Sequence, residues 1–269
     1  MMSKLKDYLV RPGSKVRLKD FPSRDHGRLE EGEGKKEFAD LQERMTNLQE
    51  RLYAEAKQAL LVVFQAMDTG GKDSTIRSVL TPLHPTGVRV VSFKAPNETE
   101  RHHDFLWRVH ENTPQLGHIH VFNRSHYEDV LVVRVKRLAP EKRWRSRYEH
   151  INQFEELLHD DGTRVVKFFL HISKEYQKER LLKRLKNPAK HWKFNPADLA
   201  DRKLWDDYQQ AYKDALERCS TKHAPWYVIP AETRWYRDLL VARVLVETLE
   251  SMDPKFPAPT FDPDKIVID

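Results

Sequence analysis

Apolar residues recur along this chain in two rhythms. Between Asp40 and Gln58, Leu41, Met45, Leu48 and Leu52 fall three or four positions apart, which predicts an amphipathic helix. Directly after it, Ala59 to Gln65 (ALLVVFQ) is an unbroken β-rich run, the pattern of a strand covered on both faces. Short runs then alternate with helical stretches. Val88 to Phe93, His118 to Phe122, Arg164 to Ile172 (RVVKFFLHI) and Trp226 to Ile229 read as four further strands. Helices are expected from near Lys72, over Thr99 to Glu111, in stretches up to about His159, over Glu175 to Lys186 and from Trp235 to about Ser251. Strands separated by helices imply an α/β fold, here a five-stranded parallel sheet with helices on both faces.

The flanks differ. Residues 1–39 are polar and basic with scattered glycines, and read as an extension with no core of its own; residues 253–269 form a proline-bearing tail, leaving 40–252 as the main domain. Hydrophobic residues at 39% and charged residues at 33% of 269 suit one core under a heavily charged surface. No apolar run approaches the ~20 residues that span a bilayer, and Met1 to Val10 lacks a secretory signal's apolar stretch. A single cysteine, Cys219, excludes an internal disulfide framework and fits a reducing compartment, so a cytoplasmic protein without membrane partners is expected. The net charge of +6 favours polyanionic partners, although a lysine-rich solvated surface gives the same total.

Ligands of open parallel sheets bind beyond the carboxyl ends of the strands. After the first strand comes Ala66-Met67-Asp68-Thr69-Gly70-Gly71-Lys72-Asp73-Ser74-Thr75. Glycines at Gly70 and Gly71 let backbone N–H groups close on phosphate oxygens, the following helix adds its positive end, and Lys72 adds a full charge. The pattern meets a P-loop only in part: Ala66 stands at the first glycine position, and Asp73, followed by Ser74, stands at the hydroxyl position. Asp68 inside the loop makes sense as a magnesium ligand or as a proton acceptor, and otherwise as a turn or capping aspartate. The third strand ends in Asn123-Arg124-Ser125-His126-Tyr127-Glu128-Asp129. Arg124 can clamp phosphate. Asp129 can hold a metal with Asp68, and Glu128 and Asp129 can meet a nucleotide; a plain first-turn carboxylate is the rival reading of Asp129.

Arg180, Lys183, Arg184, Lys186, Lys190 and Lys193 make a basic segment that Pro188 interrupts, resembling a mobile lid over about 180–200; a solvated basic helix is the alternative. The cluster from Lys136 to Arg147 reads as a solvated face unless it lines the same groove. The histidines lack zinc-ligand spacing with cysteine.

Together the A-M-D-T-G-G-K-D loop, the N-R-S-H-Y-E-D segment, the N-P-A-K-H-W-K-F segment and the A-P-W-Y-V-I-P-A strand followed by Trp235-Tyr236 resemble the polyphosphate kinase 2 family. The likeness runs from about Tyr53 to Glu250, and in detail is to the class III branch that phosphorylates AMP and ADP, which carries asparagine before R-S-H-Y and a nearby E-D pair. It implies a thymidylate-kinase-like P-loop fold, magnesium dependence with manganese as a substitute, inorganic polyphosphate as donor, and adenine nucleotides (AMP, ADP, ATP) as partners. It also implies that Asp68 and Lys72 act in the loop, that Arg124 binds phosphate, and that Arg180 or Arg184 is the lid arginine. Asn123 departs from the aspartate of other branches, leaving Asp129 as candidate for the second acidic role. A homo-oligomer, dimer or tetramer, is expected, and nucleic acid is not. Two rivals stand beside this reading: an ATP-dependent nucleoside or nucleotide kinase, and a non-catalytic nucleic-acid-binding protein with a degenerate P-loop.

Overall fold

In the computed structural model, residues 5–268 are described; the first four residues and Asp269, at the ends of the two expected flanks, lie outside the described residues. The elements are α1 (Glu31–Glu55), β1 (Ala59–Ala66), α2 (Lys72–Leu80), β2 (Val88–Ser92), α3 (Glu98–Arg101), α4 (Trp107–His110), β3 (Ile119–Asn123), α5 (Val132–Val135), α6 (Glu141–Asp160), β4 (Thr163–His171), α7 (Lys174–Leu185), α8 (Ala197–Lys203), α9 (Trp205–Cys219), β5 (Trp226–Pro230) and α10 (Arg234–Met252). The five strands lie in the order β2-β3-β1-β4-β5, every neighbouring pair parallel. At the centre, Val62 faces Val121 of β3 and Val166 of β4, and all eight residues of β1 are buried. The expected α/β architecture and all five strands are present, with ends within a residue or two of the sequence reading.

Four elements differ from expectation. α1 begins at Glu31, two turns early, because Gly32 and Gly34 disguise its start. Glycine is a poor helix former, yet Gly34 is needed for close approach: a Cβ there would lie 2.7 Å from Trp235 Cε3 on α10. The helix expected over Thr99–Glu111 is two short ones. A capping box between Asn97 and Glu100 starts α3, and the Asp104 carboxylate accepts from Leu106 N at 2.8 Å just before α4.

Within the N-terminal extension, Tyr8, Val10 and Val16 are buried in the main core. Leu9 bridges antiparallel to Tyr227 at the edge of β5. Two or three apolar residues pairing over so short a length carry no period to read. α9 was absent from the sequence reading, although Trp205, Tyr208, Ala211, Tyr212, Ala215, Leu216 and Cys219 have helical spacing and are all buried.

Among the buried polar side chains, those around Lys167 form a network. Lys167, mid-strand in β4, is fully buried; its Nζ donates to Tyr127 Oη at 2.8 Å and to the Cys219 carbonyl at 2.7 Å, and it pairs with Glu155 of α6. Glu155 also accepts from Tyr127 Oη at 2.9 Å and meets His126 Nε2 at 3.1 Å. Burial opposes the Glu155 charge, but Lys167 and His126 together outweigh it and hold the carboxyl below its ordinary value. Burial also depresses His126, keeping it neutral and donating. The network pins the turn His126–Asp129, which follows β3, to the core.

Candidate active site

The carboxyl ends of β1, β2 and β3 open into a cavity of about 520 Å³. It brings together Asp68, Gly70, Gly71, Lys72, Asp73, Ser74, Arg124, Arg180, Arg184, Lys190 and Lys193, every one of them singled out from the sequence. Thr69, Ser92, Phe93, Lys94, Ala95, Asn123, Asn195 and Asp198 complete its lining.

The loop after β1 turns on Gly71, whose φ of +95° is left-handed, and Gly70 N closes the turn on Met67 O at 2.9 Å. A Cβ on Gly70 would lie 2.7 Å from the Ala66 Cβ, so the loop packs against its own strand. No side chain caps α2, and its first amides are left for an external acceptor. The Thr69 hydroxyl is buried without a hydrogen-bond partner among the described residues. Lys72 donates to Ala66 O at 3.3 Å and has no ion pair within 4 Å among the described residues. Burial and then Arg124 push its ammonium below the ordinary value, against the pull of Asp68, Glu128 and Asp73.

Arg124 stands at the end of β3 with φ +63°, its amide bonded to Phe64 O at 3.1 Å. Its guanidinium reaches Asp68 Oδ1 at 3.2 Å and Glu128 Oε2 at 3.7 Å. Burial works against this charge, but Glu128 and Asp68 outweigh it and hold the group above its ordinary value. Asn123, in place of an aspartate, donates to Asp73 Oδ1 at 2.7 Å and so ties β3 to the start of α2.

Asp129 does not join this cleft. The turn His126–Asp129 aims Glu128 at Arg124 and turns Asp129 away, where its Oδ1 accepts from Arg147 Nη1 at 2.8 Å. Burial, resisted by Arg147 and Arg108, raises the Asp129 carboxyl to about 6. Asp68 and Glu128 share Arg124, and the Asp129 carboxylate lies apart from them on Arg147. The turn that carries both carboxylates is 3₁₀ and not a regular helix.

Behind Arg124, a small cavity of about 40 Å³ is walled by Asp68, Glu128, Asp201, Tyr208 and Tyr212. The two tyrosines come from α9, and the spacing of its aromatic residues was the signal that could have found them. Asp198 of α8 also faces the cleft. Burial and then Asp68 raise its carboxyl, while Arg184 lies 3.6 Å away. The basic segment is a short helix, a 3₁₀ stretch (Pro188–Lys193) and α8. Arg202 of α8 donates to Gln177 Oε1 at 3.0 Å, and Gln177 Nε2 donates to Asp68 O at 3.1 Å, a continuous link from this segment to the phosphate loop. Lys136 pairs with Asp201 of α8, whereas Arg145 and Arg147 pair elsewhere and the rest of that cluster lies outside the cavity.

The sequence profile of the family Polyphosphate kinase 2 (PPK2) matches residues 28–257. An AMP/ADP-polyphosphate phosphotransferase of Meiothermus ruber is 52% identical over 98% of this chain and 100% of its own length. An ADP-polyphosphate phosphotransferase of Rhodopseudomonas palustris is 43% identical, covering 97% of this chain and 94% of its own. The crystal structure of polyphosphate kinase 2 from Arthrobacter aurescens TC1 superimposes with a TM-score of 0.92 at 41% identity, over 95% of this chain and 92% of that one.

Proposed function

Since the chain belongs to the polyphosphate kinase 2 family, we propose that it transfers the terminal phosphoryl group of inorganic polyphosphate to AMP and to ADP, reversibly, forming ADP and ATP. The observation that carries this reading is the charge of the cleft. Lys72, Lys94, Arg124, Arg180, Arg184, Lys190 and Lys193 line it against only Asp68, Asp73 and Asp198. Seven cations facing three carboxylates suit a donor that carries about one charge per phosphate and offers no base to stack on.

In the step proposed, an oxygen of the nucleotide's terminal phosphate attacks the end phosphorus of the polyphosphate. The bond from that phosphorus to its bridging oxygen breaks, and the shortened chain leaves as its new terminal phosphate. Charge spreads over the migrating group's equatorial oxygens, so positioning and cations do most of the work. The amides of Gly71 and Lys72 and the Lys72 ammonium hold the donor end. Arg124, steadied by Asp68 and Glu128 while the cleft is empty of phosphate, turns its guanidinium to the transferring group. Asp68 orients the acceptor oxygen. The basic segment closes with Arg180 or Arg184 and excludes water, the competing acceptor.

Magnesium, or manganese in its place, belongs to this proposal. Among the described residues no group of three or more His, Cys, Asp and Glu could hold a metal alone. A hard cation that takes one or two carboxylates and completes its shell with phosphate oxygens and water fits Asp68 with Glu128, and does not fit Asp129. When bound it would neutralise charge on the phosphates it bridges. Self-association to a dimer or tetramer and a cytoplasmic location extend the same reading, checked by light scattering and cell fractionation. The central test supplies AMP and magnesium with polyphosphate as sole donor: ADP and ATP are expected, their absence contradicts the reading, and transfer from ATP alone favours the nucleotide-kinase rival.

A further inference from the structure

Two arginines outside the predicted set stand at the edge of the cleft, on the first turn of α10. Arg237 is only 3% exposed, yet only half of its guanidinium is satisfied: Nε donates to Asp238 Oδ1 at 2.8 Å and Nη2 pairs with the same oxygen. Its Nη1 has no hydrogen-bond partner among the described residues and lies against Gly71, where a side chain on that glycine would stand. Arg234, one turn earlier on the same helix, is exposed and makes no ion pair among the described residues.

Across from them on α7 is Arg180, also without an ion pair among the described residues. Burial, then Arg234, Arg184 and Arg237, hold its charge below the ordinary value. The nearby carboxylates are already engaged: Asp238 by Arg237, and Glu232 by Arg24 at 3.3 Å and by Ser173 N at 2.9 Å. α10 also starts without a side-chain cap at Thr233, so its first amides add positive potential. Arg180 and Arg234 stand near one another without a counter-ion of their own among the described residues, which raises the energy of the protein, and a multivalent anion lowers it.

From this arrangement we infer that the polyphosphate chain, beyond the phosphate being transferred, leaves the phosphate loop between α7 and the first turn of α10, with Arg237 beside Gly71 holding the phosphates that a donor of either length places there and Arg234 setting the preference for long chains. The inference rests on the polyphosphate reading above. It adds two cations from α10 to those of the loop and the basic segment, and it gives the donor a direction: past Gly71, away from Asp68 and Glu128.

The test compares donors of two lengths, tripolyphosphate and long-chain polyphosphate, with ADP as acceptor. Arg234→Ala removes a partnerless surface charge and leaves the fold intact. It should raise KM for long-chain polyphosphate about tenfold while KM for tripolyphosphate, KM for ADP and kcat stay within about twofold. Because Arg237→Ala would strand a buried Asp238, the second variant is the neutral pair Arg237→Gln with Asp238→Asn, expected to raise KM for both donors. Arg234→Glu should enlarge the long-chain effect. Equal effects of Arg234→Ala on the two donors, or none on either, overturn the inference while transfer from polyphosphate persists. A wild-type protein that uses neither donor overturns the polyphosphate reading itself.

Discussion

Two groups of charges in this protein are built in opposite ways. In the core, Lys167, Glu155, Tyr127 and His126 are buried and close on one another. In the cleft, Lys72 and Arg180 have no ion pair among the described residues, and Arg180 faces other arginines. Removing charge from water costs several kcal/mol per ion unless a partner restores it. The core restores it from within, which makes that group architecture. The cleft leaves it unrestored at Lys72 and Arg180, and on the reading proposed above the substrate completes it. On that reading, incomplete electrostatics mark where the chemistry is, and complete electrostatics mark what holds it in place.

The comparison is broken most forcefully by removing one member from each group. Lys167→Met should destabilise the fold by about 3–5 kcal/mol in denaturant unfolding by stranding the Glu155 carboxylate; adding Glu155→Gln should recover much of that loss. Lys72→Ala should do the reverse, lowering kcat/KM for polyphosphate by about a thousandfold in steady-state assays while unfolding stays within about 1 kcal/mol of wild type. Glu128→Gln frees one side of Arg124 and should cost about tenfold in the same rate without a matching loss of stability.

Asp129→Asn sharpens the contrast from the smallest side, changing the rate by less than about threefold because Asp129 bonds Arg147 outside the cleft. Its effect lies in pH. The Asp129 carboxyl sits at about 6 in the folded protein against an ordinary 3.8. The folded state therefore holds that proton more tightly than the unfolded chain does. The stability this contributes is full below about pH 4 and is lost as pH rises through about 6. In denaturant midpoints taken across that range, Asp129→Asn should flatten this part of the profile.

Much of this site was legible because its signals are local. A glycine turn after a buried strand puts Gly70, Gly71, Lys72 and Asp73 on one loop, and the carboxyl-end rule brings Arg124 beside it. What stayed hidden depended on contacts distant in sequence or on a turn of one type. Arg237 reaches Gly71 only through the packing of α10, 166 positions along the chain. Glu128 rather than Asp129 meets Arg124 in the 3₁₀ turn after β3, a distinction of one residue that no period encodes. The extension has no core of its own; Tyr8 and Val10 join the main core through partners on β5 and in the turn before it, which lie far off in sequence. α9 was a different case: its spacing was plain, and the tyrosines it delivers to the site were there to be read.

The most direct test of unpaired cleft cations as a polyanion site is the salt dependence of polyphosphate binding without nucleotide, measured by titration calorimetry. The logarithm of the binding constant should fall linearly with that of salt concentration, and Lys72→Ala and Arg180→Ala should each reduce the slope by about one counterion. Arg145→Ala, which removes a cation already paired with Glu141, should leave it unchanged. A slope indifferent to Lys72 and Arg180, or one lowered equally by Arg145→Ala, would contradict the account.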